Sequence, residues 1–363
     1  MDYISPKNNR NEIGEINQMK SFLLLQKKVA PEMHELLLKR YELLKTVKHV
    51  QPVGRRVLSM ALRMTERVLR AEVNDLKDLN LLIFTTAGMT LSPEGEAIFD
   101  QLNDMMKFLS GTIELEKQLK AKFGLKDVIV VSGNSDKSEL VKDDLGYAGA
   151  LKLQELFTKD AIIAMTGGST LAKIADLMPD VPKIKYPKNL TFVPARGGFG
   201  MGTQLQANSI CERISHKTGG TSRELYLPEQ LSDASFQSLL EEPSVVETVQ
   251  ILKSANIVVH GVGDALTMAN KRKSTLEIIE KLKSLNAVGE VLGHYFDESG
   301  QIVYKIKTIG IQFEDLKNTD TVLTIAGGAS KAKAIAAFFK STPIKPILIT
   351  DETAATKLLK IKG

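Results

Sequence analysis

Four short strings gather the residues best suited to hold an anion. They are Thr166-Gly167-Gly168-Ser169-Thr170, Arg196-Gly197-Gly198, Gly261-Val262-Gly263-Asp264 and Gly327-Gly328-Ala329-Ser330-Lys331. Glycine lets backbone approach a ligand closely, and a helix opening just behind it offers free amides and the positive end of its dipole. Gly168, Ser169 and Thr170 supply amides and two hydroxyls that suit a phosphate, while Arg196, Lys271, Arg272 and Lys331 could neutralise its charge. Glu290 and Asp264 are candidate acceptors for sugar hydroxyls. The chain has no GxxxxGK[ST] string, and no GxGxxG follows a first strand with an acidic partner behind it, so a phosphorylated metabolite fits better than a nucleotide. A single basic residue is more often a surface charge, and roughly half of the four are expected to touch ligand.

A second constellation lies near the N-terminus and suits duplex DNA. Thr65 opens a helix whose outer face carries Glu66, Arg67, Arg70, Asn74 and Lys77, opposite a buried stripe of Val68, Leu69, Val73, Leu76 and Leu79. Arginine forks onto guanine and asparagine pairs with adenine in the major groove, and Arg55 and Arg56 on the preceding helix are placed for phosphates. Thr65, Glu66, Arg67, Arg70 and Asn74, with Arg55 and Arg56, are therefore the candidate DNA-binding residues. Arginines on an outer helix face are common, and a plain three-helix bundle would show them too. Charge distribution favours DNA: between residues 20 and 74 there are twelve Lys or Arg against five Asp or Glu, whereas the whole chain nets only +5.

These residues need elements to position them. Apolar residues at helical spacing predict helices over 33–50 (Met33, Leu36, Leu37, Tyr41, Leu44, Val47), 53–64 and from 65 onward, followed by a two-strand hairpin and a Ser-Pro-x-Gly helix start. The order is that of a winged helix-turn-helix. One helix over 98–123 is expected to connect onward, with either a dimer seam or contacts inside its own domain. After residue 125, short β-branched runs (DVIVVSG, DAIIAMTGG, NLTFVPARGG, ELYLP, NIVVHGVGD, TVLTIAGG, KPILITDE) alternate with helical stretches. This is the α/β pattern of a doubly wound, Rossmann-like parallel sheet, interrupted by an antiparallel hairpin over 289–313. The expected divisions are an extension over 1–18, with Met19 as an alternative start, a DNA-binding domain over 19–97, a connecting helix over 98–124 and an effector-binding, oligomerising domain over 125–363.

Composition narrows the class further. Hydrophobic residues at 43% and charged residues at 25% exclude a disordered chain, and no apolar run approaches a membrane span. No secretory signal opens the sequence, and the single cysteine, Cys211, allows neither an internal disulfide nor a metal cluster, so the expected compartment is the cytoplasm.

The strings PVGRRVLSMALRMTERVLRAEV, VPARGGFG, QANSIC, EEPSV, VVHGVGDA and AGGASKAKAI together resemble the SorC/DeoR family of bacterial transcriptional repressors, over nearly the whole chain from Phe22. The resemblance implies a repressor of a glycolytic operon that binds operator DNA as a homo-oligomer, dimer or tetramer, and is relieved by fructose 1,6-bisphosphate or a related phosphosugar. It also implies an effector domain similar in fold to sugar-phosphate isomerases and glucosamine-6-phosphate deaminase. Carried over by motif, Gly168, Ser169 and Thr170 would hold one phosphate. Arg196 with Gly197 and Gly198, and the pair Lys271 and Arg272, would serve the phosphate ends, while Glu290 and Lys331 would contact sugar or phosphate. The chain departs from the family in having the pair Lys271 and Arg272 where two arginines stand, and Ser169 where threonine is frequent; both changes keep the chemistry.

The competing expectation is a sugar-phosphate isomerase or deaminase carrying a helical N-terminal domain. Such an enzyme needs a positioned base and proton shuttle. His260 reads as a satisfied core residue, His294 sits in the hairpin after Glu290, and Asp264 stands where a base could be held. These pieces are sparse, so a non-enzyme without catalytic residues, metal or cofactor is expected. A third option is an architectural DNA-binding protein with a degenerate pocket, against which the glycines and cations retained at four strand ends argue.

Overall fold

The computed structural model describes residues 25, 28–62, 64–179, 186–198, 202–228 and 232–361, in two compact units that divide between Ser110 and Gly111. The extension expected over 1–18, and Met19, lie outside these residues.

In the first unit, α1 (Pro31–Val50), α2 (Arg55–Ala61) and α3 (Glu66–Asp78) precede the antiparallel hairpin β1 (Leu82–Thr85) and β2 (Gly88–Leu91), and α4 (Pro93–Ser110) follows. Leu43, Leu44, Val47, Leu58, Leu69, Val73 and Leu76 form its core with Leu82, Met89 and Phe99. The periodicity holds best in the second half of α1, since Met33 and Leu36 are exposed. Residue Val53 exchanges backbone hydrogen bonds with Met89 (3.0 and 2.8 Å), tying the α1–α2 connection to the hairpin. Helix α4 starts where Ser92 Oγ accepts from Gly95 N–H at 2.8 Å. A Cβ at Gly95 would lie 2.1 Å from the Leu81 carbonyl oxygen, so that start requires glycine.

The single connecting helix expected over 98–124 is two helices. Gly111, at φ 75 and ψ 11, is left-handed, and α5 (Thr112–Phe123) begins after it. The strongly helical pattern on both sides hid the break.

The second unit is built on seven parallel strands, β3 (Asp127–Val131), β4 (Ile162–Met165), β5 (Thr191–Pro194), β6 (Thr221–Ser222), β7 (Ile257–His260), β12 (Thr321–Ile325) and β13 (Ile347–Asp351). Their order across the sheet is β3-β13-β12-β7-β4-β5-β6. From β4 the chain moves outward through β5 to β6, then returns to β7 on the other flank of β4. The reversal makes β4/β7 the switch point, where open α/β sheets bind ligands at the carboxyl ends of their strands.

Helices cover both faces. Alternate strand residues supply two cores: Ile163, Met165, Val259 and Leu323 pack with α6 (Glu139–Leu156), α7 (Ser169–Leu177) and α8 (Ala207–Thr218). Ala164, Val258 and Val322 pack with α5, with α10 (Pro243–Lys253), which follows α9 (Asp233–Glu241), and with two C-terminal helices, α13 (Ala332–Ser341) and α14 (Glu352–Lys360).

Two strand expectations change. ELYLP is not a strand, because the side chain of Asn208 takes both backbone groups of Leu225 (2.9 and 3.3 Å) in place of a neighbouring strand. The sheet edge is Thr221–Ser222 instead. The hairpin over 289–313 grows into a four-strand antiparallel sheet ordered β11-β10-β9-β8, from β8 (Gly263–Asp264), β9 (Gly289–Val291), β10 (His294–Phe296) and β11 (Ile302–Lys305). Helices α11 (Ala265–Lys271) and α12 (Leu276–Ser284) pack on it through Ala269, Leu282 and Tyr295.

Candidate functional site

The glycine strings sit where β4, β5, β7 and β12 end, at the carboxyl edge. After β4, Gly168 takes φ 134 and donates its N–H to Leu205 O at 2.9 Å, and α7 opens at Ser169 without a side-chain cap. Ser169 is exposed and Thr170 half-buried, so their hydroxyls stand beside uncapped first-turn amides. After β5, Gly197 N–H donates to Ile309 O (3.1 Å), which fixes the Arg196-Gly197-Gly198 turn.

Of the four expected cations, two meet at one carboxylate. Arg196 and Arg272 converge on Glu290: its Oε1 is 3.5 Å from Arg196 Nη1, 3.1 Å from Arg272 Nη2, and accepts from Gly293 N–H at 2.5 Å. Arg272 also donates to Tyr295 Oη at 3.0 Å. Glu290 is 4% exposed and the Arg272 side chain 1%. Burial alone would raise the carboxyl's pKa, but Arg272, then Arg196 and the Gly293 amide, hold it below the ordinary glutamate range. Glu290, expected as an acceptor for sugar hydroxyls, is thus engaged with two guanidiniums.

The other two, Lys271 and Lys331, stand outside that cluster, Lys271 exposed and Lys331 half-buried. The Lys331 ammonium is pushed down by burial and then by the charge of Lys271, with Lys142 of α6 adding to the lowering and Asp136 and Asp351 opposing it. Of the consecutive residues Lys271 and Arg272, Arg272 turns to Glu290, whereas the charge of Lys271 is felt at Lys331. Asp264 is a helix cap: its Oδ1 accepts from Thr267 N–H (2.9 Å) and Oγ1 (2.6 Å) at the start of α11.

Sequence reasoning missed three residues. Asp351, fully buried at the end of β13, accepts from Ser135 N–H (2.9 Å), from the Ser135 hydroxyl and from Gly328 N–H (2.6 Å), while its other oxygen caps α14 through Ala354 N–H (2.8 Å). Asp136 accepts from Ser330 N–H and Oγ (3.0 and 2.8 Å). Lys142, ion-paired to Glu139 at 2.5 Å, adds its charge to the field at Lys331. An Asp closing a buried strand run, as in ILITD, was the available signal for the first; the others carry none.

The histidines are placed as core residues. His260 bonds Thr324 Oγ1 and Gly261 O, both at 3.0 Å, and burial pushes its pKa down to about 4. His294 Nδ1 lies 3.1 Å from Leu292 O.

In the first unit, Thr65 caps α3 by accepting from Val68 N–H at 3.4 Å. Arg55, Arg56, Thr65, Glu66, Arg67, Arg70 and Asn74 are all exposed. The buried stripe differs from expectation. Val68 is 45% and Leu79 54% exposed, and Glu72 is buried in their stead. A charge can stand there because Lys39 and Arg40 of α1 meet it, Arg40 Nε at 3.0 Å, and Arg40 continues to Asp75 at 2.7 Å.

Two family profiles match the chain, that of a sugar-binding domain over residues 107–360 and that of the CggR N-terminal DNA binding domain over 36–106. The central glycolytic genes regulator of Priestia megaterium is 46% identical over 343 residues, which cover 94% of this chain and 99% of that protein. This chain belongs to the central glycolytic genes regulator family. As a member it is a transcriptional regulator and not an enzyme, with a DNA-binding domain ahead of a sugar-binding domain. A SorC family transcriptional regulator from Enterococcus faecalis has a similar structure (TM-score 0.63, 43% identity, 68% of this chain and 99% of that one). The full-length sorbitol operon regulator SorC from Klebsiella pneumoniae shares the fold over 90% of this chain and 98% of its own (TM-score 0.65, 17% identity). Among the described residues, no helix is long and apolar enough to cross a membrane.

Proposed function

We propose that this chain is a cytoplasmic repressor of glycolytic genes, a homo-oligomer whose hold on operator DNA is relieved by a phosphorylated sugar, with fructose 1,6-bisphosphate the best fit. The DNA-binding domain acts as a winged helix-turn-helix, with α2 and α3 as the turn, β1 and β2 as the wing, and α3 in the major groove. Arg55, Arg56, Thr65, Glu66, Arg67, Arg70 and Asn74 are its DNA-facing residues. The effector domain takes its ligand at the carboxyl edge beside β4 and β7.

The observation that carries the reading is the pair of guanidiniums, Arg196 and Arg272, on one buried carboxylate at the edge that carries the glycine loops, with two further cations, Lys271 and Lys331, outside that pair and acting on one another by charge. Two phosphates on one sugar match four cations so divided better than a single phosphate does. Gly168, Ser169 and Thr170 add amides and hydroxyls for one phosphate, Gly197 and Gly198 bring backbone close beside Arg196, and Glu290 and Asp264 act through what they hold, Glu290 the two arginines and Asp264 the start of α11. A phosphate competes with Glu290 for Arg196 and Arg272, so ligand binding redistributes the charges that hold β9 to the loop after β5. For release to follow, the ligand must bind the low-affinity arrangement better than the operator-bound one.

The test is an operator-binding titration of the full chain against a panel of phosphosugars, read by gel retardation. Fructose 1,6-bisphosphate is expected to weaken retardation at lower concentration than its monophosphates do. Equal effects from mono- and bisphosphates would defeat the two-phosphate argument. Thermal shift with the same panel reports binding independently of DNA, since a ligand of the folded state raises the melting temperature.

A further inference from the structure

On the outer face of α3, Arg67, Ala71 and Asn74 follow one another one helical turn apart. Val68 stands beside them, three residues from Ala71, and both are exposed. This β-branched residue, 45% exposed, lies outside the core stripe of Leu69, Val73 and Leu76, each no more than 1% exposed. Its position is nevertheless fixed, because its amide is the one that Thr65 caps. The result is a small apolar patch at the first turn of a helix, bordered by Arg67 and Arg70 and accompanied by Arg55 and Arg56 on α2.

We infer that Val68, with Ala71 beside it, reads the C5-methyl group of a thymine, and so is a specificity-determining residue for the operator. The inference rests on the placement of α3 in the major groove proposed above. The surrounding charge is that of a surface facing phosphates, and within a major groove lined by hydrogen-bonding edges the thymine methyl is the apolar feature. The first turn of a recognition helix is the part that reaches base edges. Arg67 and Asn74 supply polar readout on one side of the patch, and Val68 supplies shape and apolar contact on the other. Preference for thymine over cytosine then follows without a hydrogen bond.

The experiment starts from duplexes selected out of a random pool by the full chain. Each thymine of the selected operator is replaced in turn by 2′-deoxyuridine, which removes the methyl and leaves base pairing intact. Wild type is expected to lose roughly three- to fivefold in affinity at one thymine or more, as for one methyl-sized group withdrawn from apolar contact. Val68→Ala is expected to bind the unmodified operator that much more weakly and to lose nothing further on the deoxyuridine duplex. Because the side chain is exposed, this variant should melt as wild type does. If wild type is indifferent to every substitution, or if Val68→Ala stays as sensitive as wild type, the inference falls. Arg67→Ala and Arg70→Ala separate the two levels: should they leave affinity unchanged, the placement of α3 itself fails.

Discussion

Replacing Glu290 by Gln tests the centre of the effector site. The side chain keeps its shape, but Arg272, 1% exposed, and Arg196, 14% exposed, lose the charge on which they converge. Removing one partner of a buried ion pair costs about 3–5 kcal/mol, chiefly from the charge left behind. The partial exposure of Arg196 and the Tyr295 hydroxyl still facing Arg272 favour the lower end. For a unit of this size each kcal/mol moves the melting temperature by roughly 2–4 °C, so a fall of about 6–12 °C is expected at neutral pH. Scanning calorimetry of the full chain reads it.

The pH dependence supplies the sign. Glu290 is held below its ordinary value of 4.5 in the folded chain. Its stabilisation is therefore fully present above 4.5 and is lost as pH falls through the depressed folded value. The gap between wild type and Glu290→Gln should be constant from neutral pH down to about 4.5 and close progressively as pH falls from there to the depressed folded value. Inorganic phosphate should narrow the gap at neutral pH, because a bound anion replaces the missing charge. Equal melting temperatures at neutral pH would show that the carboxylate does not anchor the two arginines, and a gap that ignores acid would show that its charge is not the cause.

Other substitutions probe the remaining parts. Arg70→Ala should abolish specific operator retardation, whereas Thr170→Ala should retain retardation and blunt only its relief by phosphosugar; the opposite pattern would exchange the roles of the two domains. Gly95→Ala should destabilise the DNA-binding unit by about 1–3 kcal/mol, since the new Cβ meets the Leu81 carbonyl at 2.1 Å, and denaturant unfolding of the full chain measures it.

What was legible in the sequence was what periodicity and glycine encode. The parallel strands were readable because both their faces are buried, which leaves unbroken β-branched runs such as ILIT and IVVH. Thr65 was readable as a cap because capping is local. Side-chain interactions across long stretches of chain were not. Asn208 occupying the backbone of Leu225, and Lys39 and Arg40 allowing Glu72 into a core stripe, are facts of tertiary placement. The same limit applied at the candidate site. Glycine loops marked the edge, but no local pattern showed that Arg272 would turn to Glu290 without Lys271, or that Asp264 would be occupied in starting a helix.

Asp351 bears on how tightly a ligand can be held. By accepting from Ser135 and Gly328 while starting α14, it fixes the loops after β3 and β12 to the end of β13 before any ligand arrives. Their conformational entropy is already surrendered in folding, so affinity is not reduced by having to order them. The part of the site left to rearrange is the arginine pair on Glu290, and selectivity among anions then depends on how well each one competes with a carboxylate.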